Sequence, residues 1–348
     1  MNYERKLATV KTILNIGEIP NSDFLELAYV EGWQSVVSKG SFKKDEVVIY
    51  FEIDSLLPLI PVFDFLAKNG IVKSVDGSEG YRVKTVKLRH TLSQGIIMKV
   101  SDFKELEGLE LSEGDDVTSL LGVTKYEKPI PVEMSGAVVG HFPSVFNKTD
   151  ETRIQILYNK IGFLGNRSNK EWTVTEKLDG TSCTMYIDSN GKFGVCSRSY
   201  DLERNANNMY WKLAISYDVE KHLRYYHNMP AYAGYNIAIN GEIVGPKIQD
   251  NLYKLEQHDF YIYNVQINER YDDDFLEDFS KVSGIKTVPY LDKVRLDRFE
   301  TLDDYLKYAE GKSLINPDVN REGVVFKTKN RTSSFKVISN TFLLKNEK

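Results

Sequence analysis

The sequence predicts an α+β protein with a small antiparallel β-barrel at its N-terminus, followed by a larger domain of antiparallel sheets with flanking helices. Three observations support this prediction. Short apolar, β-branched runs broken by glycine or acidic residues fill roughly the first 120 positions. Prolines then interrupt the chain at Pro129 and Pro131. Beyond them, apolar strand patterns alternate with amphipathic helical patterns. We therefore predict domains at 1–122 and 151–348, joined by a linker at 123–150.

The first domain is predicted to be an OB-type barrel, because five or so strands fall within it. The predicted strands are 7–10, 24–30, 33–37, 47–53, 81–88 and 95–100, and residues 58–80 resemble a long loop with a short helix. Basic side chains would form one strand edge suited to a phosphate backbone: Arg82, Lys84, Lys87, Arg89 and His90. The alternative is an ordinary solvated strand face.

Charge is spread unevenly along the 348 residues, whose net charge is −5. Residues 1–120 contain 14 Lys and Arg against 19 Asp and Glu, whereas the remainder balances at 31 against 31. Such a balance argues against a surface that coats nucleic acid broadly. Any contact with a polynucleotide therefore requires a local basic groove.

Nothing in the sequence predicts export or insertion into a membrane. Residues 1–5 lack the apolar core of a signal peptide, and no apolar run approaches the roughly 20 residues that span a bilayer. The two cysteines, Cys183 and Cys196, are too few for a disulfide framework, and five scattered histidines show no metal-ligand spacing. Two reduced core thiols fit a cytoplasmic protein.

A lysine near the middle of the chain stands at a bend between two predicted strands. Residues 172–175 and 181–187 are β-branched runs, and Lys177, Asp179 and Gly180 lie between them. A lysine amine becomes a nucleophile only after it loses its proton, which a nearby cation or partial burial favours. Asp179 could hold a metal ion, and Gly180 would let a phosphate approach the backbone. The alternative is an ordinary turn.

Charged residues also stand within or beside apolar strand patterns further along the chain. Glu242 interrupts the apolar run 237–245, where an unpaired carboxylate would be costly. The other residues of this kind are Arg198, Glu322, Lys327 and Lys336, and an aromatic strand at 260–265 contains Tyr261 and Tyr263. For each residue taken alone, a strand-end charge in solvent is the alternative.

Three local patterns give structural expectations. The pair Asn190-Gly191 predicts a tight hairpin that would place Arg198 opposite Cys183. Residues 205–225 have the apolar spacing of a helix. Residues 149–151 are predicted to cap another helix, whose apolar face is Ile154, Leu157 and Ile161.

The order of these features resembles the covalent nucleotidyltransferase superfamily of ligases and capping enzymes. Within it, the chain is most similar to ATP-dependent RNA ligases with a core of the RNA ligase 2 type and an N-terminal OB domain (RNA ligase family 5). The resemblance covers nearly the whole chain. Its motifs, in order, are Lys-x-Asp-Gly at 177–180, Ser-Arg at 197–198, Gly-Glu at 241–242, the aromatic strand, Glu-Gly-Val-Val-Phe-Lys at 322–327 and Phe-Lys-Val at 335–337.

The resemblance implies a role for each site residue. Lys177 would take AMP from ATP, pass it to an RNA 5′-phosphate, and a 3′-hydroxyl would then displace it. Nucleotide contacts would come from Glu176 at the adenine, Asp179 and Arg198 at the ribose and metal region, Glu242 at the ribose, Tyr261 or Tyr263 stacked on the base, Lys327 and Lys336 at phosphate, and Gly180, where a phosphate can approach the backbone. Asp179, Glu242 and Glu322 would hold the waters of Mg²⁺ or Mn²⁺. The implied substrate is RNA or a nicked duplex that contains RNA, with no membrane or protein partner.

One departure and two alternatives accompany this interpretation. Several relatives have a second lysine where Ile338 stands, so one phosphate contact is missing unless Lys327 or another residue supplies it. A DNA ligase or capping enzyme would carry a second barrel after the core, and only 12 residues follow Lys336, which favours the RNA ligase. A non-catalytic nucleic-acid-binding protein with a decayed core is the remaining alternative.

Overall fold

The computed structural model describes residues 5–128, 136–160 and 170–346. These residues form two compact units, one with 5–128, 154–160 and 343–346, and the other with 136–153 and 170–342. The boundaries at 1–122, 123–150 and 151–348 stay a prediction. The prolines of the predicted linker, Pro129 and Pro131, lie outside the described residues.

The N-terminal unit consists mainly of short antiparallel strands. They are β1 (Ala8–Thr12), β2 (Asn15–Glu18), β3 (Leu25–Val30), β4 (Trp33–Ser38), β5 (Val47–Phe51), β6 (Ser55–Leu57), β7 (Val72–Lys73), β8 (Glu79–Arg82), β9 (Val86–Leu88), β10 (Thr91–Ser93), β11 (Ile96–Lys99) and β12 (Thr124–Lys125). Short 3-10 helices cover Pro61–Asn69, Val100–Asp102 and Lys104–Leu106. The first of these is the helix expected within the 58–80 segment.

The strands of this unit pair in small sheets around an aromatic core. Their orders are β1-β5-β11, β2-β3-β4, β12-β6-β8-β7 and the β9-β10 hairpin. The rings of Phe51, Phe63 and Phe103 pack with centroids 5.4–5.9 Å apart, and Trp33 packs near Tyr50. Burying such rings supplies most of the driving force for a domain of this size.

The predicted strand at 81–88 is wrong as a single element. The structure ends β8 at Arg82 and begins β9 at Val86, and Thr85 between them is buried. The apolar alternation changes phase here, from Tyr81 and Val83 to Val86 and Leu88, and the prediction of one continuous strand overlooked this change. The basic residues expected on one strand edge are consequently divided between two strands and a turn.

The second unit contains two larger sheets and most of the helices. Its strands are β13 (Val138–His141), β14 (Glu171–Lys177), β15 (Thr181–Ile187), β16 (Phe193–Cys196), β17 (Tyr200–Leu202), β18 (Ile237–Val244), β19 (Asp259–Ile267), β20 (Arg270–Tyr271), β21 (Tyr290–Arg295), β22 (Gly323–Lys327) and β23 (Ser334–Ile338). The α-helices within the described residues are α1 (Ile154–Leu157), α2 (Met209–Ser216), α3 (Val219–His227), α4 (Asp273–Ser283), α5 (Leu302–Ala309) and α6 (Asn340–Asn346). Short 3-10 helices cover Leu296–Arg298 and Lys329–Arg331.

The two sheets have orders β13-β17-β16-β15-β18-β19-β20 and β21-β14-β22-β23. In the larger sheet, α2 contacts β16, α3 contacts β15 and α4 contacts β19, which closes an apolar core. In the smaller sheet, the ring of Phe326 stacks on that of Phe335 with centroids 4.7 Å apart, and Trp172 packs on the other side chain of this pair, Phe335. Successive residues alternate between the faces of a strand, so each strand contributes to a core with one face and to the site with the other.

The hairpin between β15 and β16 differs from the prediction by one residue. The register pairs Thr184 with Cys196 and Ile187 with Phe193, and Asp188 and Lys192 continue the pairing through a backbone hydrogen bond. Three residues therefore form the loop, where Asn190-Gly191 predicted two. Because each added loop residue moves the register, Arg198 does not lie opposite Cys183.

Helix lengths also differ from the predictions. The 205–225 pattern contains two helices, α2 and α3, with Asp218 between them in a left-handed conformation (φ 49°). Helix α1 has four residues, and Ile161 of its predicted apolar face lies outside the described residues. None of the helices in the described ranges has both the length and the apolar character that crossing a membrane requires.

Candidate active site

Lys177 is the last residue of β14, and a three-residue bend leads from it to β15, as the sequence predicted. Strand β14 lies in the smaller sheet and β15 in the larger one, so the bend connects the two sheets. Gly180 makes this connection possible. A Cβ atom at this position would lie 2.3 Å from the carbonyl oxygen of Ile243. Only glycine lets the bend pass this close to β18.

The ammonium group of Lys177 lies among carboxylates. Its Nζ donates a hydrogen bond to Glu322 Oε2 at 2.7 Å. Burial works to lower the pKa of Lys177, but the charges of Glu322, Glu242 and Asp179 outweigh it and hold the pKa above its ordinary value. Partial burial alone therefore does not activate this amine, contrary to one of the two routes considered from the sequence.

Glu242 interrupts the apolar strand β18 because its side chain faces this cluster. It pairs with Ser182 on β15 and with Tyr261 on β19. Burial raises the pKa of Glu242 to about 8; Lys177 opposes this shift, whereas Glu322 and Asp179 add to it. The neighbouring Gly241 would place a Cβ only 2.4 Å from the ring of Phe260. The backbone irregularity at Gly241 thus sets the position of the carboxylate.

The carboxylates fit a divalent cation that keeps most of its water. Within the described residues, no three Asp, Glu, His or Cys side chains are placed to hold a metal ion directly. However, the charges of Glu322 and Asp179 help to raise the pKa of Glu242, and all three carboxylates help to raise that of Lys177. The three carboxylates therefore lie near one another. This cluster holds three carboxylates against one ammonium group, that of Lys177, and oxygen ligands that contact bound waters are what Mg²⁺ prefers.

A second group of charges contains Arg198 and Lys336. Arg198 Nη2 donates to Asp150 Oδ2, and Lys336 Nζ lies 3.9 Å from Asp150 Oδ1. The charge of Arg198 also lowers the pKa of Glu242, which places the arginine beside the Lys177 cluster. The structure therefore groups Arg198 and Lys336 around one carboxylate.

Lys327 and Ile338 bear on the phosphate contact that the sequence left open. Ile338 is buried, so its side chain belongs to the core. Lys327 Nζ donates to the carbonyl oxygen of Tyr263 at 2.6 Å. Burial lowers the pKa of Lys327 to about 8; Glu151 opposes this shift and Arg331 adds to it. The phosphate role of Lys327 stays a prediction.

A cluster of apolar side chains, the apolar wall, adjoins the lysine bend. Its buried members are Leu178, Val244, Tyr253, Tyr261, Val288 and Val319, with Tyr263 packed against them. The hydroxyl group of Tyr263 is hydrogen-bonded with Ser182 at 3.2 Å and with Thr149 at 2.8 Å. Burial and the charge of Glu242 raise the pKa of Tyr263, so the ring stays neutral. Both candidate tyrosines consequently line one surface.

Glu176 occupies a different environment from Lys177. Its side chain is only 1% exposed, and its Oε2 accepts a hydrogen bond from the Leu314 N–H at 2.8 Å. Burial raises the pKa of this carboxyl group, against hydrogen bonds from Ser313 and Leu314. Adjacent residues of a strand face opposite sides, which accounts for the separation. Its adenine contact stays a prediction.

In the N-terminal unit, the five predicted basic residues do not share one edge. Arg82 on β8 pairs with Asp54 at 2.8 Å and lies over the ring of Tyr126. Lys84 follows β8 and is partly buried, whereas Lys87 lies on β9. Arg89 and His90 form the two-residue turn of the β9-β10 hairpin, with φ of 47° and 65°.

Sequence analysis missed two residues that position the site. Tyr253 accepts a hydrogen bond from the Asp179 N–H at 2.7 Å, but it lies in a loop whose residues show no periodic pattern. Asp150 was interpreted as a helix cap, although its carboxylate pairs with Arg198 and Lys336. Both contacts connect residues far apart in the chain, and local patterns contain no information about such contacts.

Comparison with known proteins gives consistent results. A family model described as RNA ligase matches residues 170–338, and one described as an OB-fold domain matches residues 7–100. Solved structures of Naegleria gruberi RNA ligase are also similar. A mutant with AMP and Mn is 36% identical, with a TM-score of 0.85, and the match covers 97% of this chain and 98% of that chain. No curated protein matches.

Two further structures of the same ligase extend this result. The form with PPi is 36% identical with a TM-score of 0.86, covering 98% of each chain. A mutant with ATP and Mn is 35% identical with a TM-score of 0.85, covering 97% of this chain and 98% of that chain. The predicted fold class, an OB domain before a ligase domain of antiparallel sheets, is confirmed.

We expect Gly180→Ala to destabilise the second unit, because its Cβ would force apart the bend and β18. The free energy of unfolding should fall by about 1–3 kcal/mol. Urea denaturation measures this value. Gly140→Ala is the matched control, since a Cβ there meets nothing within 4 Å. Equal stability of the two variants would contradict the close approach.

Proposed function

The chain belongs to the RNA ligase family, and we propose that it is an ATP-dependent RNA ligase that joins RNA 3′-hydroxyl and 5′-phosphate ends at nicks in duplexes, in RNA repair. The observation that supports this best is the position of Lys177. Its amine ends β14 at the junction of two sheets, hydrogen-bonded to Glu322 and close to Glu242 and Asp179. An amine held among carboxylates is suited to attack a phosphate whose cation those carboxylates bind.

The proposed reaction has three displacements at phosphorus. Lys177 Nζ loses a proton and attacks the α-phosphorus of ATP, and pyrophosphate leaves. An oxygen of the RNA 5′-phosphate then attacks that phosphorus, and the amine of Lys177 leaves. Finally, the RNA 3′-hydroxyl loses its proton and attacks the 5′-phosphorus, so that the phosphodiester forms and AMP leaves. Each displacement develops charge on phosphoryl oxygens, which fixed cations stabilise.

The residues of the second unit divide this work. Arg198 and Lys336 supply fixed positive charge for phosphate oxygens. Asp179, Glu242 and Glu322 would hold the waters of Mg²⁺ or Mn²⁺, which would neutralise phosphate charge when bound. The apolar wall of Leu178, Val244 and Tyr261, together with Tyr263, offers a surface for adenine. One of the two tyrosine rings would stack on the base.

The β9-β10 hairpin is our proposed RNA contact in the N-terminal unit. Residues 86–90 are all exposed, including the basic side chains of Lys87 and Arg89. Arg89 and His90 adopt positive φ angles that hairpin turns usually reserve for Asn and Gly. Backbone strain of this kind is most common at functional sites. Arg82 and Lys84, which lie outside the hairpin, would add charge near its base.

A cytoplasmic location, suggested by two free buried cysteines, is part of the same proposal.

A non-catalytic nucleic-acid-binding protein is the second candidate. Its support is the buried Ile338 at a position where relatives have lysine. A ligase acting on DNA nicks, or a capping enzyme, remains a variant of the main proposal. Sealing assays with nicked RNA, nicked DNA and single strands distinguish among these substrates.

We expect Lys177→Ala to abolish covalent labelling by radioactive ATP and all sealing of a 5′-phosphate. The wild-type chain, incubated with ATP and Mg²⁺ or Mn²⁺, should take up label that survives denaturation. Lys212→Ala is the lysine control, because it removes an exposed lysine of the same unit that has no predicted role in the site. A wild-type chain without label would favour the binding protein, and a labelled Lys177→Ala would place the nucleophile elsewhere.

Glu242→Ala and Glu322→Ala should each reduce sealing at least about tenfold, since one lost charge contact raises a barrier by about 1.4 kcal/mol or more. The measurement is the sealing rate across a titration of Mg²⁺ and Mn²⁺, with thermal denaturation to verify folding. Glu269→Ala, which removes an exposed carboxylate, is the control. Near-normal rates at every metal concentration would make that carboxylate structural.

Replacing Lys87 and Arg89 by alanine should weaken binding of nicked RNA and leave lysine labelling unchanged. Each lost phosphate contact should reduce the slope of log K against log salt by about 0.9. The control is Lys43→Ala with Lys44→Ala, which removes the same charge from exposed positions of the same unit. If both double variants change binding equally, the hairpin makes no specific contact.

A further inference from the structure

Asp150 connects two cations of the second unit through its two carboxylate oxygens. Oδ2 accepts a hydrogen bond from Arg198, and Oδ1 lies 3.9 Å from Lys336 Nζ. The side chain of Asp150 is 33% exposed, whereas that of Lys336 is 13% exposed. A carboxylate with this access to water can exchange its ion pairs for water or for another anion, because solvent screening weakens partly exposed ion pairs.

The position of this carboxylate is notable because of its partners. The positive charge of Arg198 works to lower the pKa of Glu242, so the arginine lies near the carboxylate cluster around Lys177. Carboxylate and phosphate oxygens bind arginine and lysine in the same way, through short charge-assisted hydrogen bonds. An aspartate that holds two such cations therefore has the chemistry of a bound phosphate.

The chain segment that contains Asp150 is held by other contacts. Glu151 Oε1 lies 2.7 Å from Arg331 Nη2, and both side chains are nearly buried. The hydroxyl groups of Thr149 and Tyr263 lie 2.8 Å apart, and the Lys336 N–H donates to the Thr152 carbonyl oxygen at 2.9 Å. Because these contacts fix the backbone on both sides, the Asp150 side chain can rotate away without moving the segment.

We propose that Asp150 is an internal competitor for phosphate: it holds Arg198 and Lys336 in the ligand-free chain, and a substrate phosphate replaces it at both cations. The identity of that phosphate, from a nucleotide or from an RNA 5′ end, rests on the proposed ligase function. The exchange itself requires only an anion. Asp150 keeps the two cations oriented without substrate and limits the binding of weak anions.

The first test is binding of inorganic pyrophosphate to the full chain by calorimetry. Asp150→Asn keeps the shape of the side chain and removes its charge, so pyrophosphate should bind at least about threefold more tightly. Asp150→Glu keeps the charge and should bind like the wild type. Glu203→Gln, an exposed carboxylate of the same unit, controls for net charge. Unchanged or weaker binding by Asp150→Asn, or equal tightening by Glu203→Gln, would overturn the proposal.

The source of the phosphate is distinguished by a second pair of probes. If the phosphate that displaces Asp150 belongs to the nucleotide, Asp150→Asn should lower the KM for ATP in lysine labelling without raising kcat. If that phosphate belongs to the RNA 5′ end, Asp150→Asn should bind a 5′-phosphorylated oligoribonucleotide more tightly than the wild type does. Its affinity for the 5′-hydroxyl counterpart should not change. No change with either probe would overturn the exchange with substrate. Pyrophosphate binding needs no catalysis, so its result stands even if labelling shows that the ligase proposal is wrong.

A structure of the wild-type chain with pyrophosphate gives a test that no folding defect can affect. The Asp150 carboxylate should then lie more than about 4 Å from the cationic atoms of both Arg198 and Lys336, beyond ion-pair distance. If Asp150 keeps both contacts while pyrophosphate is bound, it positions the cations and does not compete.

Discussion

The candidate site depends on holding several carboxylates together with one ammonium group as their shared countercharge. Glu322 contacts Lys177 directly, and Glu242 and Asp179 act on the same amine through their charges. Burial raises the pKa of Glu242, and the charges of Glu322 and Asp179 raise it further, because neighbouring carboxylates repel one another. Strands of two different sheets hold Lys177 and Glu242, whereas Asp179 lies in the bend between the sheets and Glu322 directly precedes β22.

Glycines make that fixation possible at the backbone level. Gly180 lets the bend approach β18, and Gly241 lets β18 approach β19, more closely than a residue with a Cβ atom would permit. Gly323 plays the same part beside Glu322, since its Cβ would lie 2.2 Å from the carbonyl oxygen of Val337. The three carboxylates, Asp179, Glu242 and Glu322, thus each stand next to a glycine at which two backbones nearly touch. This pairing explains why the motifs contain glycine beside the charged residue, independently of any contact with substrate.

The sequence revealed the strands of the site well, and the contacts between them poorly. Strand β18 could be predicted because eight residues form an apolar run with a single carboxylate. The hairpin register could not, because a loop of two or three residues satisfies the same Asn-Gly pattern. The break between β8 and β9 coincides with a change of phase in the apolar alternation, from Tyr81 and Val83 to Val86 and Leu88, which the prediction of a single strand overlooked. Asp150 resembled a helix cap, and only the folded chain brings it to Arg198 and Lys336.

Two partly buried lysines of this unit show how the surroundings of an amine decide its chemistry. Burial lowers the pKa of Lys327 to about 8, because Glu151 offsets little of the burial and Arg331 adds to the shift. Burial acts on Lys177 in the same direction, but three carboxylates reverse the outcome. Lys177 therefore keeps its proton in the ligand-free chain, and any cation that engages Glu242, Glu322 and Asp179 removes the charges that hold it there. A nucleophile that becomes reactive only when its carboxylates are occupied would remain unreactive without substrate and metal.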